Sequence, residues 1–423
     1  MSTFSNATGI IAEYNPFHNG HKYHINKTRE LFGTPVVAVM SGNFVQRGEP
    51  ALFDKQLRAK SAVQNGVDLV LELPTVFATC SAEHFAAGAV RLLDSLGIVS
   101  DICCGAESDQ LLNSAMIADS INLHSLKTAM KSGISYANAM VEIAPAPKKL
   151  TPNNILAIEY QRAIRKFKCN LKLYTIKRIA NYYHEKTTTG QISSATAIRA
   201  IFNDSTLKTT DWKQQIPANS VNEIEQYLVA HKLCRLEDFW EIVSYRLRTF
   251  TALEIAERFE ISEGLENRFT KCVNNSSSMT ELLYNVKSKR YTYTRLQRIL
   301  IHLLLDTTLK DLQSFRITGS LYIRPLAWTT VGEQLLKEIA NRSSLPIVIQ
   351  PAKFLKKESQ SLAATMLNYD IAATKIHSII SNIDPLGDFR RMPIKVNAAM
   401  PVPAVLDYFL PIQTNEQSSR SNN

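Results

Sequence analysis

Gly9-Ile10-Ile11-Ala12-Glu13-Tyr14-Asn15-Pro16-Phe17-His18-Asn19-Gly20-His21 joins an apolar run, a turn carrying Pro16, and His-x-Gly-His at the head of an amphipathic segment. The pattern predicts a buried strand, a turn and the first turn of a helix. A helix start offers free N–H groups and the positive end of a dipole, both suited to anionic oxygens. Gly20, without a Cβ, lets backbone come close to a ligand. His18 and His21 can donate hydrogen bonds to a phosphate whose charge shifts during reaction. Two histidines with a purely structural part would fit the same residues, so the motif needs support from elsewhere in the chain.

Working outward, the first two hundred residues alternate short apolar runs with amphipathic segments, as in a parallel sheet with crossover helices. Strands are expected at Gly9–Ala12, Val36–Met40, Asp68–Leu73, Asp101–Cys104 and Leu171–Ile176. Helices are expected at Asp54–Gln64, ending at Asn65-Gly66, and at Glu83–Leu96, whose Phe85, Ala89, Leu92, Leu93 and Leu96 share one face. Ligand sites in such sheets lie at the carboxyl ends of strands. There His18 and His21 follow the first strand, Ser41–Arg47 the second, and Gly105-Ala106-Glu107 the fourth. Beyond about residue 205 the pattern becomes helical. Thr251/Glu254, Ser278/Glu281 and Thr330/Glu333 each fit a capping box, Arg295–Leu305 reads as a helix, and Leu345–Ile349 suggests some late β structure. The expected division is 1–205, a catalytic α/β domain; 206–410, a mainly α-helical region; and 411–423, a polar, disordered tail.

Ile192-Ser193-Ser194-Ala195-Thr196-Ala197-Ile198-Arg199 supplies the support. Its hydroxyls open a helix that carries Arg199, and an ordinary N-cap would explain them if they stood alone. Paired with His-x-Gly-His, the element resembles the nucleotidyltransferase superfamily of Rossmann-like α/β proteins, in which both elements grip the phosphates of ATP. Further motifs narrow the resemblance: Glu13–His21, Met40–Pro50, Asp68–Pro74, Pro152-Asn153-Asn154-Ile155-Leu156, Lys289–Arg298 and Tyr322-Ile323-Arg324-Pro325-Leu326, in that order. Together they resemble the bacterial tRNA(Met) cytidine acetate ligases over about residues 9 to 350.

That resemblance implies a ligase that activates acetate with ATP and acetylates N4 of the wobble cytidine of elongator tRNA(Met). It implies catalytic parts for His18, His21, Ser194 and Arg199, and ATP contacts from Ile11 through His21 (Ile11, Ala12, Glu13, Tyr14, Asn15, Pro16, Phe17, His18, Asn19, Gly20, His21). Gly105, Asn153, Arg178, Ile179 and Ser193 extend the expected ATP site. Asn154 could equally cap the helix expected from Ile155. Ser41, Gly42, Asn43 and Arg47 form a polar loop expected to line the acetate or cytidine pocket, with Arg47 as carboxylate partner. No metal-ligand cluster is visible, so Mg²⁺ is expected to arrive on the nucleotide.

Composition agrees with such a partner. The 423 residues carry 48 Lys/Arg against 38 Asp/Glu, a net +10, which points to a polyanion. Nine Lys/Arg against two acids fall between Thr151 and Ala200, and Lys287, Lys289, Arg290, Arg295 and Arg298 cluster with no acid among them. These five, with Tyr291 and Tyr293 for stacking, are the expected tRNA surface. Six cysteines show no Cys-x-x-Cys pair. With no signal peptide or long apolar stretch, the chain reads as cytoplasmic, with no membrane association and no obligate protein partner. Two rivals remain: a small-molecule nucleotidyltransferase, and a non-catalytic RNA-binding protein on the same scaffold. The helical half and basic clusters disfavour the first, the retained histidines and Ser-Ser…Arg the second.

Overall fold

The computed structural model describes residues 6–107, 125–126, 128–129, 136–143, 151–178, 193–203, 212–261, 264–288 and 290–397. Its strands are β1 (Ala7–Ala12), β2 (Val36–Ser41), β3 (Phe44–Val45), β4 (Glu49–Pro50), β5 (Leu69–Leu73), β6 (Val99–Ala106), β7 (Lys172–Lys177), β8 (Pro325–Thr329) and β9 (Ile394–Val396). All five expected strands are present, shifted at their ends by a few residues. β2 and β5 are buried at every position, which is why they read as unbroken apolar runs rather than alternating ones.

Seven strands form one sheet in the order β7-β6-β1-β2-β5-β8-β9. The run from β7 to β5 is parallel, β8 lies antiparallel to β5, and β9 is parallel to β8. The chain steps from β1 through β2 to β5, then returns to place β6 on the other side of β1. The winding therefore reverses between β1 and β6, and a crevice opens beyond their carboxyl ends. β3 and β4 make a small separate hairpin above β2.

Helices Asn19–Phe32, Lys55–Gln64, Ala82–Ser95 and Pro152–Lys166 accompany the sheet. Asp54 caps the second, its Oδ1 accepting from the Leu57 N–H at 2.9 Å. The third buries Phe85, Ala89, Leu92 and Leu93, and Gly97 follows it at φ 67°. From Ala218 onward the chain is mostly helical, with Tyr293–Leu305 and Leu362–Ser381 at the centre of the packing. Thr251 and Glu254 form the expected capping box. Ser278 caps its helix, but the Glu281 carboxylate takes the Ser277 N–H instead. The third box is displaced by one residue: Thr329, not Thr330, is the cap, and Glu333 reaches across to Lys395. Late β structure appears as β8, β9 and a bridge between Ile323 and Ile347.

β8 and β9 come from the second half of the chain and complete the sheet of the first. The expected boundary near 205 and the 411–423 tail both lie outside the described residues. What joins the halves is a buried ion cluster. Lys55 Nζ meets Glu72 at 2.8 Å and Asp388 at 2.9 Å, while Arg324 meets Glu72 at 3.1 Å and Asp388 at 2.8 Å. Asp370 joins through the Tyr322 hydroxyl at 2.6 Å and the Thr75 N–H at 2.7 Å. Burial, and then the nearby Glu72 carboxylate, push Asp370 up to about 6. No helix among the described residues is long and apolar enough to cross a membrane.

Candidate active site

The turn after β1 explains why both histidines stand where they do. His18 is the N-cap of helix Asn19–Phe32, with extended backbone at φ −146°. Its Nδ1 accepts from the Gly20 N–H at 3.0 Å, and His21 Nδ1 accepts from the His18 N–H at 3.2 Å. This reciprocal pair satisfies two N–H groups that a helix start otherwise leaves unpaired. It also fixes chemistry: a ring nitrogen that accepts carries no proton, so in each neutral imidazole the N–H sits on Nε2. The rings lie 3.8 Å apart between centroids, and Tyr14 and Phe17 pack edge-on against each other and around His21. Burial, followed by Arg178 and Arg199, holds His18 down to about 3; burial and the neighbouring His18 push His21 well below its usual range. Both are neutral donors at physiological pH.

Structural and functional readings of these histidines are thus not alternatives. The Nδ1 edges build the turn, and both side chains line a cavity of about 580 Å³ over the crevice, within the range of ligand-binding clefts. Ile11, Ala12, Glu13, Tyr14, Asn15 and Gly20 line it too. Pro16 and Phe17 do not, Phe17 being core, and Asn19 turns away to donate to the Gln214 carbonyl at 2.8 Å. His24 lines the cavity too, with a buried Nε2 that has no partner. Its position one turn past His21 was the available signal.

Across the crevice, the ends of β6 and β7 bring Gly105 and Arg178. A Cβ on Gly105 would stand 3.1 Å from Arg178 Cγ, so the glycine lets the arginine side chain lie over the strand end. Arg178 is anchored by its N–H to the Ala106 carbonyl at 2.9 Å, and burial lowers its pKa, with Glu107 opposing. Glu107 ties the next helix down: Asn153 donates to it at 2.5 Å, Thr151 donates to its other oxygen, and its own N–H reaches Asn154 Oδ1 at 3.2 Å. The helix begins at Pro152 with Thr151 as cap, so Asn154 is a bracing residue rather than the cap. Asn153 lines the cavity. Ile179 lies outside the described residues.

Ser193, Ser194 and Arg199 arrive from helix Ala195–Asn203 and its approach. Ser194 Oγ accepts from the Ala197 N–H at 3.1 Å and keeps its own O–H to donate. Ser193 Oγ is buried with no partner, a group waiting for an acceptor. Arg199 donates to the Asn15 carbonyl at 2.9 Å and stands 3.7 Å from Glu49. The fold therefore gathers His18, His21, Ser193, Ser194, Arg178 and Arg199 around one space, from segments nearly two hundred residues apart.

The 41–50 loop divides. Arg47 lines the cavity between Glu13 and Glu49, while Ser41, Gly42 and Asn43 lie behind its wall. Asn43 holds the Lys55 N–H at 2.9 Å and Thr374 at 3.1 Å, and a Cβ at Gly42 would strike Glu72 Oε1 at 2.4 Å. These three serve packing because the buried ion cluster occupies the space beside them. Arg58, which sequence reasoning passed over, donates to the carbonyls of Phe53 at 3.0 Å, Glu13 at 2.6 Å and Ser41 at 3.0 Å, and to that of Gly42. It clamps the two loops that flank the site. Nothing short of the fold identifies it, since a lone arginine in a helix is usually solvated.

The basic cluster of the helical half also divides. Lys287 and Arg290 are exposed, and Lys289 lies outside the described residues. Arg295 lies over the ring of Tyr291 at 5.2 Å and donates to the Glu260 carbonyl at 3.2 Å. Tyr291 is buried and Tyr293 partly exposed, so of the two aromatics only Tyr293 has a face near solvent. Arg298 is no surface residue: it is 8% exposed and lines the cavity together with Thr292 and Thr294. Among the described residues, no cluster of three or more His, Cys, Asp or Glu could hold a metal ion.

Comparison with known proteins matches this arrangement. The model of the HIGH Nucleotidyl Transferase family covers residues 5–387. The tRNA(Met) cytidine acetate ligase of Clostridium tetani is 37% identical over 92% of this chain and 99% of its own. That of Thermoanaerobacter sp. is 40% identical over 88% of this chain and 94% of its own. Among solved structures, Thermotoga maritima TmcAL in its apo form superposes with a TM-score of 0.86 at 31% identity, over 93% of this chain and all of that one. The same protein bound with α-thio ATP gives 0.84 at 30% identity with the same coverage.

Proposed function

Because this chain belongs to the tRNA(Met) cytidine acetate ligase family of HIGH nucleotidyl transferases, we propose that it activates acetate with ATP and acetylates N4 of the wobble cytidine of elongator tRNA(Met). An acetate oxygen attacks the α-phosphorus; the bond to the β-phosphate oxygen breaks and pyrophosphate leaves. The N4 amine then attacks the acetyl carbonyl carbon, AMP departs, and N4 gives up a proton. No protein nucleophile is needed. The work is positioning and charge stabilisation.

The observation that carries this reading is the convergence of two neutral Nε2–H imidazoles, the Ser193/Ser194 hydroxyls and two arginines around one cavity. In our assignment His18, His21, Ser193, Ser194 and Arg199 hold the triphosphate and meet the departing pyrophosphate. Arg178 reaches phosphate or ribose, and Gly105 and Asn153 sit at the nucleoside. Magnesium enters with the nucleotide. Region 206–410 binds the tRNA, with exposed Lys287 and Arg290 facing its phosphates. The test is acetate-dependent ATP–pyrophosphate exchange by the purified protein, paired with nucleoside analysis of tRNA from cells lacking it. Exchange that ignores acetate, or unchanged N4-acetylcytidine, would remove the reading.

A further inference from the structure

The acetate-ligase reading leaves open which group receives the acid. Arg47 answers poorly, since Glu13 and Glu49 both act on it and two flanking carboxylates disfavour a third. Arg298 differs. It is 8% exposed, it lines the cavity, and its Nε–H is buried without a partner. A buried N–H left unsatisfied is costly and calls for an acceptor. The nearest carboxylate acting on it is Glu260, and that acid is already held by Arg316 at 2.6 Å.

Placement separates Arg298 from the phosphate grip. Gly48 packs on its backbone, where a Cβ would come within 2.3 Å of the Arg298 N. Glu49 stands between, 3.7 Å from Arg199 on one side and 3.4 Å from Gln297 on the other. Gln46 reaches the Cys80 carbonyl at 3.2 Å, which brings the Val45–Gln46 strand end against the 80–85 segment. Val45, Ala82 and Phe85 give the same cavity an apolar wall. A guanidinium edge with a free Nε–H beside apolar carbon suits a short-chain carboxylate: the fork takes both oxygens and the wall takes the methyl group. An RNA phosphate would have to reach a side chain that is only 8% exposed.

We propose that Arg298 is the residue that binds the carboxylate of the acid substrate. This rests on the acetate-ligase reading. The test measures acetate-dependent ATP–pyrophosphate exchange with the full-length chain, without tRNA, for wild type, Arg298→Gln and Arg298→Lys. Loss of a charge-assisted pair raises the apparent KM for acetate in Arg298→Gln on the order of 10- to 100-fold, with the KM for ATP within about threefold. Arg298→Lys keeps the charge but not the fork, so it gives an intermediate rise; it also stands in if the glutamine variant unfolds, which a thermal melt detects. An unchanged acetate KM in folded variants overturns the assignment, as does an equal rise in the KM for ATP. Wild-type exchange that does not need acetate overturns the ligase reading itself, a separate and recognisable failure.

Discussion

Two parts of the cavity lining are built in opposite ways. The histidine part is local: one strand, one turn and one helix start, with two imidazoles that cap the helix they open. The Arg298 side is assembled from Val45–Glu49, the 80–85 segment and the start of helix Tyr293–Leu305, which come from both halves of the chain. A local site should survive damage elsewhere; an assembled one should be lost with the buried ion cluster that locks those halves together.

The strongest way to break the contrast is to remove the lock. Glu72→Ala leaves Lys55 and Arg324 to share Asp388 in the core, and breaking a buried pair typically costs about 3–5 kcal/mol. Denaturant unfolding should show that loss, and surviving folded protein should bind ATP better than it uses acetate. If both fall together, the two parts are not independent.

His21→Ala attacks the local part. Losing one donor to the developing charge should slow adenylate formation by about 10²–10³, while tRNA binding measured by filter retention stays near wild type. Near-normal exchange would leave His21 as a capping residue alone. Gly48→Ala attacks the Arg298 side through backbone. The glycine has φ 78° and no room for a Cβ beside Arg298, so a loss of about 1–3 kcal/mol is expected. A raised acetate KM should accompany it, and a variant with wild-type stability would contradict the packing described.

Lys287→Ala with Arg290→Ala should weaken tRNA binding and reduce the slope of log K against log salt by about one per lost phosphate contact, sparing adenylation. The smallest effect is with pH. Unfolded histidine titrates near 6.5, but folded His18 and His24 are held down to about 3 and 4. Between those values the unfolded chain takes up protons that the folded chain refuses, so stability falls as pH drops below about 6.5 and is flat above it. Exchange rates should show no histidine titration from about pH 6 to 8; a rate that rises on acidification would mean that charged imidazoles do the work.

The same contrast explains what the sequence could tell. The parallel sheet, the His-x-Gly-His turn and the Ser-Ser…Arg element are periodicities and short motifs, and the structure brings their key side chains to one cavity. The lock escaped: Lys55, Glu72, Arg324, Asp370 and Asp388 are scattered over more than three hundred residues, and isolated charges usually mean solvent. For the same reason Arg298 read as part of a basic surface, although burial decides otherwise. β8 and β9 were missed because β8 joins antiparallel to a sheet begun more than three hundred residues earlier. Ser41, Gly42 and Asn43 looked like pocket because polar loops near strand ends often are; here the buried cluster claims them.

Gly48 and Arg298 touch peptide to peptide. Side-chain contacts can breathe by changing rotamers, but abutting main chains cannot. The Arg298 side chain therefore starts from a main-chain point that does not yield, while the methyl end of the acid meets the side chains of Val45, Ala82 and Phe85. A longer acid would meet those side chains, so widening acyl choice calls for trimming them and leaves the Gly48 contact as it is.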